Sequence, residues 1–204
     1  MKDFVRAEIE ATIGTFQRLQ DDAVSVEVVA RIGEMCGTAL KLGKKIMIAG
    51  NGGSAADAQH IAAEFVCRLV RDRRPLAALA LTTDTSFLTA AANDYGYDQV
   101  FARQVEALGS EGDVLIGIST SGRSPNILLA LKAARQRNMT TVGLTGRKGV
   151  AMADLCDYVV HVPSDSAQNI QEVHIMIGHT ICALAEREFL DHDGAESTKA
   201  LGVD

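Results

Sequence analysis

Tryptophan is absent from this 204-residue chain, and Phe, Tyr and Trp together make up only 4% of it, so its core must be built from Ala, Val, Ile and Leu. No basic run extends beyond Arg71-Asp72-Arg73-Arg74, and the net charge is −6. That balance argues against nucleic acid or an anionic membrane as the main partner. A small anionic substrate stays compatible with it, because backbone N–H groups bind phosphate without net positive charge. The four cysteines, Cys36, Cys67, Cys156 and Cys182, form no Cys-x-x-Cys pair and each sits among apolar neighbours. Reduced core thiols are therefore expected, rather than zinc or redox chemistry at cysteine. The acidic, amphipathic N-terminus is not signal-like, and no apolar run reaches spanning length, so a cytoplasmic protein is expected. Internal repeats, low-complexity tracts and interdomain linkers are also missing.

What remains is a chain of one-domain length with a hydrophobic fraction of 47%, enough for a sizeable core. Val5, Ile9, Ile13, Phe16 and Leu19 fall at helical spacing within residues 2–21. Residues 25–42 repeat the pattern and stop at Gly43, which predicts an N-terminal helical hairpin over 1–43 with an apolar stripe in search of a partner. Short apolar runs follow at Lys45–Gly50, Leu76–Leu81, Asp113–Ser119, Thr140–Thr145 and Tyr158–Val162. They are nearly continuous rather than alternating, as in parallel strands buried on both faces. Helical stretches separate them: Ser54–Val70, Asp84–Leu108 with a break near Asn93, Ser124–Asn138, Val150–Cys156 and Ala167–Leu190. The alternation predicts an α/β fold, a doubly wound three-layer αβα sandwich on a five-stranded parallel sheet, with residues 44–192 as its core. The polar tail from Asp193 is expected to fray.

Ligands of open α/β sheets sit beyond the carboxyl ends of the strands, and three such ends carry unusual sequence here. Gly50-Asn-Gly-Gly-Ser-Ala55 matches the dinucleotide fingerprint G-x-G-x-x-A. That fingerprint also requires an acidic residue at the end of the second strand; Asp72 precedes the strand and Asp84 follows it too late. Ser119-Thr-Ser-Gly-Arg-Ser-Pro125 contains an ordinary helix start, with Ser124 as N-cap and Pro125 at N1. Ser119, Thr120 and Ser121 are not needed for that start, and four hydroxyls at a helix N-terminus make a phosphate cradle. Thr145-Gly-Arg-Lys-Gly149 reads as a solvated turn.

On the helix from Ser54, Asp57, His60, Glu64 and Arg68 share one stripe. Two readings fit it. In one, Ser54-x-x-Asp57 is a capping box, Glu64 pairs with Arg68, and the stripe faces water; in the other, the stripe is a functional face. The C-terminal helix places Gln171 and His179 on a common side, while His174 points elsewhere and reads as a satisfied structural histidine. Two helices thus each offer an imidazole and an oxygen ligand, a set suited to zinc or a similar divalent ion.

Taken together, Gly50-Asn-Gly-Gly-Ser54 with His60 and Glu64, Asn93-Asp94, Ser119-Thr-Ser-Gly-x-Ser124, and Gln171-Glu-x-His174 with His179 closely resemble the sugar isomerase (SIS) domain of bacterial phosphoheptose isomerases. The resemblance covers nearly the whole chain, residues 1–204 as a single SIS domain. It implies interconversion of sedoheptulose 7-phosphate and D-glycero-D-manno-heptose 7-phosphate, the first step toward ADP-heptose for lipopolysaccharide or another surface polysaccharide. It implies Glu64 as the base and His179 as its proton-transfer partner, with His60, Glu64, Gln171 and His179 as ligands of one Zn2+. Substrate contacts are implied at Asn51, Gly52, Gly53, Ser54, Glu64, Asn93, Asp94, Ser119, Thr120, Ser121, Ser124 and Gln171. A homotetramer with sites at subunit interfaces is implied as well. Arg123 replaces a small polar residue of the family pattern, and Gln168 an acidic one, and either could alter substrate preference. A non-catalytic SIS protein that binds the DnaA replication initiator resembles the chain in length and layout but lacks the His/Glu pair. SIS transcription regulators need an N-terminal DNA-binding domain, for which the residues before the first strand leave no room.

Overall fold

The computed structural model describes the backbone of residues 1–200 and the side chains of residues 1–190. Two helices, α1 (Lys2–Asp21) and α2 (Ala23–Lys41), precede the sheet. Asp22 joins them and caps α2 by accepting from the N–H groups of Val24 and Ser25. The hydroxyl of Ser25 also donates to that carboxylate at 2.6 Å, which holds the acid below the usual carboxylate range. There follow β1 (Ile46–Gly50), α3 (Gly53–Val66), β2 (Ala78–Ala80), α4 (Thr85–Tyr95), a 3-10 turn (Tyr97–Gln99) and α5 (Val100–Leu108). The chain continues through β3 (Val114–Ser119), α6 (Pro125–Gln136), β4 (Thr140–Gly146), the short α7 (Val150–Ala153), β5 (Tyr158–Val162) and α8 (Ala167–Ala200). The expectation for the tail from Asp193 falls on side chains, and for 201–204 on backbone, outside the described residues.

All five strands run parallel in the order β2-β1-β3-β4-β5. β1 and β3 are buried along their whole length, which is why they read as unbroken apolar runs. Successive residues feed opposite cores. Ile46 and Ile48 pack with Val114, Ile116, Phe65 and Ile177 beneath α2, α3 and α8. Met47 and Ala49 pack with Leu115, Val105, Ile127 and Leu131 beneath α5 and α6. From β1 the chain moves outward to β2, whereas β3 lies on the other side of β1, so the loops after β1 and β3 diverge at a topological switch point.

Several boundaries differ from those expected. β2 shrinks from Leu76–Leu81 to three residues, since an edge strand pairs with β1 only where their registers overlap, at Ile46 to Ile48. α3 ends at Val66 rather than Val70, because the guanidinium of Arg73, held in turn by Glu186, donates to its last carbonyls at Glu64 and Phe65. Arg68 therefore falls beyond the helix and loses the register that would pair it with Glu64. The break in the fourth helical stretch lies at Gly96 rather than Asn93. Cys67, just past the end of α3, is exposed and so is not a core thiol; Cys36 and Cys182 are buried, Cys156 is half-buried, and all four are free.

The apolar stripe of α1 stays open: Phe4, Val5, Ile9 and Ile13 are all about half exposed or more. Beside it, Phe16, Leu19, Val26, Val29, Met176 and Leu184 line a cavity of about 400 Å3 between α1, α2 and α8. Among the described residues, no helix is long and apolar enough to cross a membrane.

His174 is fully buried in α8 with neither ring nitrogen in a well-formed hydrogen bond, so it is less well satisfied than its sequence reading expected. Burial pushes its pKa down to about 4, with the main chain of Thr145 pulling weakly the other way. The unfolded chain thus takes up a proton near pH 6.5 that the native state refuses until about pH 4. Stability carried by the neutral ring is complete above pH 6.5 and falls as pH drops through that window, by roughly 3 kcal/mol in all. Melting curves of wild type and His174→Leu between pH 7 and pH 4.5 should converge or cross as pH falls; parallel curves would remove this account.

Candidate active site

The carboxyl end of β1 turns sharply into α3. Gly52 provides the turn with φ at +56°, a conformation that a residue with a Cβ rarely adopts. The helix starts at Gly53 with Gly52 as N-cap, so Ser54 lies inside the first turn, buried, and the expected Ser54–Asp57 capping box does not form. Asp57 is freed to face the neighbouring helix, with its Oδ2 buried and unpartnered. Desolvation holds this carboxyl above its usual range, while the nearby His60 and His179 pull it down.

One and two turns further along, His60 and Glu64 meet His179 of α8. Nε2 of His60 lies 3.0 Å from Oε1 of Glu64, and Nε2 of His179 lies 3.1 Å from that of His60 and 3.3 Å from the same carboxylate oxygen. The imidazoles meet edge-on, with ring centroids 5.1 Å apart. Glu64 is largely buried, and its Oε2 has no partner. Two imidazole nitrogens and a carboxylate oxygen thus stand together between α3 and α8. All three ligand atoms lie within 4.8 Å of one another, and two imidazoles with a carboxylate are a donor set that fits a divalent cation. The same three groups can hold and pass a proton. Gln171 lies elsewhere on the shared α3–α8 face, with its amide against Gly53 at the start of α3. Its separation from His179, eight residues along the helix, is ~12 Å of axial rise.

The loop after β3 carries the second group of expected site residues. Ser124 occupies the N-cap of α6, but its hydroxyl does not cap the helix. It lies 3.0 Å from the hydroxyl of Ser119 instead. Ser121 accepts from the N–H of Arg123, and the turn closes where the N–H of Gly122 donates to the carbonyl of Ser119. Hydroxyls therefore cluster at the amino end of a twelve-residue helix, where dipole and N–H groups favour an anion.

The two loops are welded together by a pair of amides. Asn51 and Asn126 exchange hydrogen bonds of 2.9 and 2.8 Å, and the hydroxyl of Tyr97 donates to the oxygen of Asn51 at 3.3 Å. Neither Asn126 nor Tyr97 stood out in the sequence, since an Asn in the first turn of a helix looks like ordinary helix-start grammar. Asn93 and Asp94 are exposed near the end of α4, and the amide of Asn93 donates to Asp94 at 2.8 Å.

Thr145–Gly149 is not simply a solvated turn. Gly146 donates to the carbonyl of Thr120 at 3.1 Å, and Thr145 and Gly149 are buried beneath Gly122. Arg147 and Lys148 are exposed and line, with Thr120, Ser121 and Arg123, a cavity of about 200 Å3 beside the serine loop. Gln168 accepts from the hydroxyl of Ser166 and borders a separate hollow with Asp57 and Gln171.

A parallel αβα sheet with a serine loop after β3 and a His/Glu cluster between α3 and α8 is the architecture of a sugar-isomerase domain, and the family model for the SIS domain matches residues 11–146. The chain is 50% identical over 188 residues to the phosphoheptose isomerase of Clostridium acetobutylicum, covering 92% of this chain and 96% of that one. A solved phosphoheptose isomerase from Neisseria gonorrhoeae superposes with a TM-score of 0.85 at 44% identity, over 91% of this chain and 98% of its own. One from Francisella tularensis gives 0.85 at 35% identity, over 91% and 97%. The chain belongs to the phosphoheptose isomerases, and it is an isomerase.

Proposed function

We propose that the enzyme interconverts sedoheptulose 7-phosphate and D-glycero-D-manno-heptose 7-phosphate, feeding ADP-heptose to lipopolysaccharide or another surface polysaccharide. The observation that carries this reading is the convergence of Glu64, His60 and His179 on one point in a member of this family. Isomerisation moves a proton between C1 and C2 through an enediol, which needs one base at carbon and one group serving the oxygens. Glu64, largely buried and with one oxygen unpartnered, takes and returns the carbon-bound proton. His179, in contact with that carboxylate, handles the proton of the sugar oxygen. The hydroxyls of Ser119, Thr120, Ser121 and Ser124 grip the phosphate, while Asn51, Gly52, Gly53, Ser54, Asn93, Asp94 and Gln171 orient the sugar.

His60, Glu64 and His179 would hold one Zn2+ per subunit, with Gln171 as a fourth donor supplied across the subunit interface, and the ion would act on the sugar carbonyl as a Lewis acid. The open apolar stripe of α1 and the cavity beside it support a homotetramer in which those surfaces meet and the sites lie at subunit interfaces. A monomeric mass in light scattering would remove that assembly. The whole chain acts as one SIS unit, and its unpaired thiols suit a reducing, cytoplasmic setting.

The decisive experiment is incubation of the purified protein with sedoheptulose 7-phosphate, before and after chelation, with chromatographic analysis of products. The aldose phosphate should form, chelated enzyme should be slow, and added Zn2+ should restore the rate. Absence of the aldose under all conditions would overturn the substrate assignment; an undiminished rate after proven metal removal would overturn the role of zinc.

A further inference from the structure

Glu64 sits in the last turn of α3, where a helix ordinarily frays because its final carbonyls lack intrahelical donors. Here those carbonyls are occupied. Arg73, in the segment between α3 and β2, donates through Nη2 to the carbonyl of Glu64 itself at 3.0 Å, and through Nη1 to that of Phe65 at 2.9 Å. Its Nε donates to Oε1 of Glu186 on α8 at 2.8 Å. The other oxygen of Glu186 accepts from the N–H groups of Val70 and Arg71, both at 3.2 Å. The side chains of Arg73 and Glu186 are only 1% and 2% exposed, so the pair is shielded from water and from salt. The adjoining Arg74 stacks on the ring of Phe189, also on α8.

Glu186 lies seven residues beyond His179, two turns along the same face of α8. One guanidinium thus ties the main chain at Glu64 to the helix that carries His179. The 3.3 Å separation of the carboxylate from the imidazole depends on how far apart these two helices stand. We propose that Arg73, held by Glu186, is a positioning residue that sets Glu64 against His179 for proton transfer. This rests on the reading of Glu64 as the base. Lysine cannot replace it: an ammonium can pair with Glu186, but it lacks the planar fork that reaches a carboxylate and two carbonyls at once.

The test compares Arg73→Lys with Asp113→Asn, a control that breaks another buried clamp. Asp113 accepts from the N–H groups of Lys45 and Ser110 and pairs with the Lys45 ammonium at the amino end of β3, the end of the sheet away from the site. Both variants should melt below wild type. Assayed well below either midpoint, Arg73→Lys should lose about 10-fold or more in kcat with KM changed less than about threefold, because misplacement of a reacting group acts on the transition state. Asp113→Asn should keep wild-type kcat. Should Arg73→Lys fail to fold, Glu186→Gln, which keeps an oxygen for the two N–H donors, should show the same split to a lesser degree. The residual rate of Glu64→Gln, alone and combined with the Arg73 change, completes the cycle: an effect exerted through Glu64 vanishes once Glu64 is gone. Wild-type kcat in folded Arg73→Lys, with Glu64→Gln inactive, overturns the positioning role alone. Full activity of Glu64→Gln overturns the base assignment and the positioning role with it.

Discussion

Glu64→Gln is expected to cut turnover by at least ~100-fold while the protein folds normally. The amide has the shape of the carboxylate and can still meet one of the two imidazoles, so packing at the end of α3 is preserved. What it cannot do is accept a proton from carbon. The carboxylate is held for that task, because His60 and His179 fix Oε1 while Oε2 is buried without a partner. His179→Ala should be comparably damaging, since it removes the group that serves the sugar oxygen. Steady-state rates with circular dichroism on the same samples check both. A Glu64→Gln enzyme retaining most of its activity would exclude the base role.

Gly122→Ala should be nearly as harmful, for a reason that lies in the backbone. Gly122 adopts φ of +63°, which costs a residue with a side chain about 1–2 kcal/mol. The new methyl would also run into the Cα of Gly149 and come within 2.7 Å of the Thr145 hydroxyl. Main chain cannot swing aside as a flexible side chain does, so the serine loop must lift away from the β4 loop. The melting temperature should fall by roughly 4 °C or more, and KM for the sugar phosphate should rise about tenfold, because a phosphate grip contributes alike to ground and transition states. By comparison, replacing Ser119 and Ser121 with Ala should raise KM without the loss in stability. Unchanged melting and kinetics in Gly122→Ala would show that the loop does not depend on this turn.

The sheet was legible because burial on both faces writes strands as solid apolar runs, and β1, β3 and β4 lie close to where those runs placed them. The meeting of His60, Glu64 and His179 was legible in part, since helical spacing aligns each set along its own helix. What spacing cannot convey is a partner supplied from elsewhere in the chain. α3 stops at Val66 because Arg73 and Glu186 take up its loose end, nine and more than a hundred residues from Glu64. Local pattern therefore overran the helix by four residues. The link between Asn51 and Asn126 escaped for the same reason, as did the burial of Thr145 beneath the serine loop. Asp57 was visible but cast as a cap, because Ser54-x-x-Asp57 fits helix-start grammar and nothing local reveals that Gly53 starts the helix first.

The amides of Asn51 and Asn126 face each other across the gap between the two loops, and neither group gains or loses a proton between acid and alkali. A carboxylate or an imidazole at that seam would bind or release the neighbouring loop as the medium changed. Here the spacing of the two loops is set by a fastener indifferent to acidity, so the response of the rate to pH is left to the groups that carry the protons and to the phosphate of the substrate.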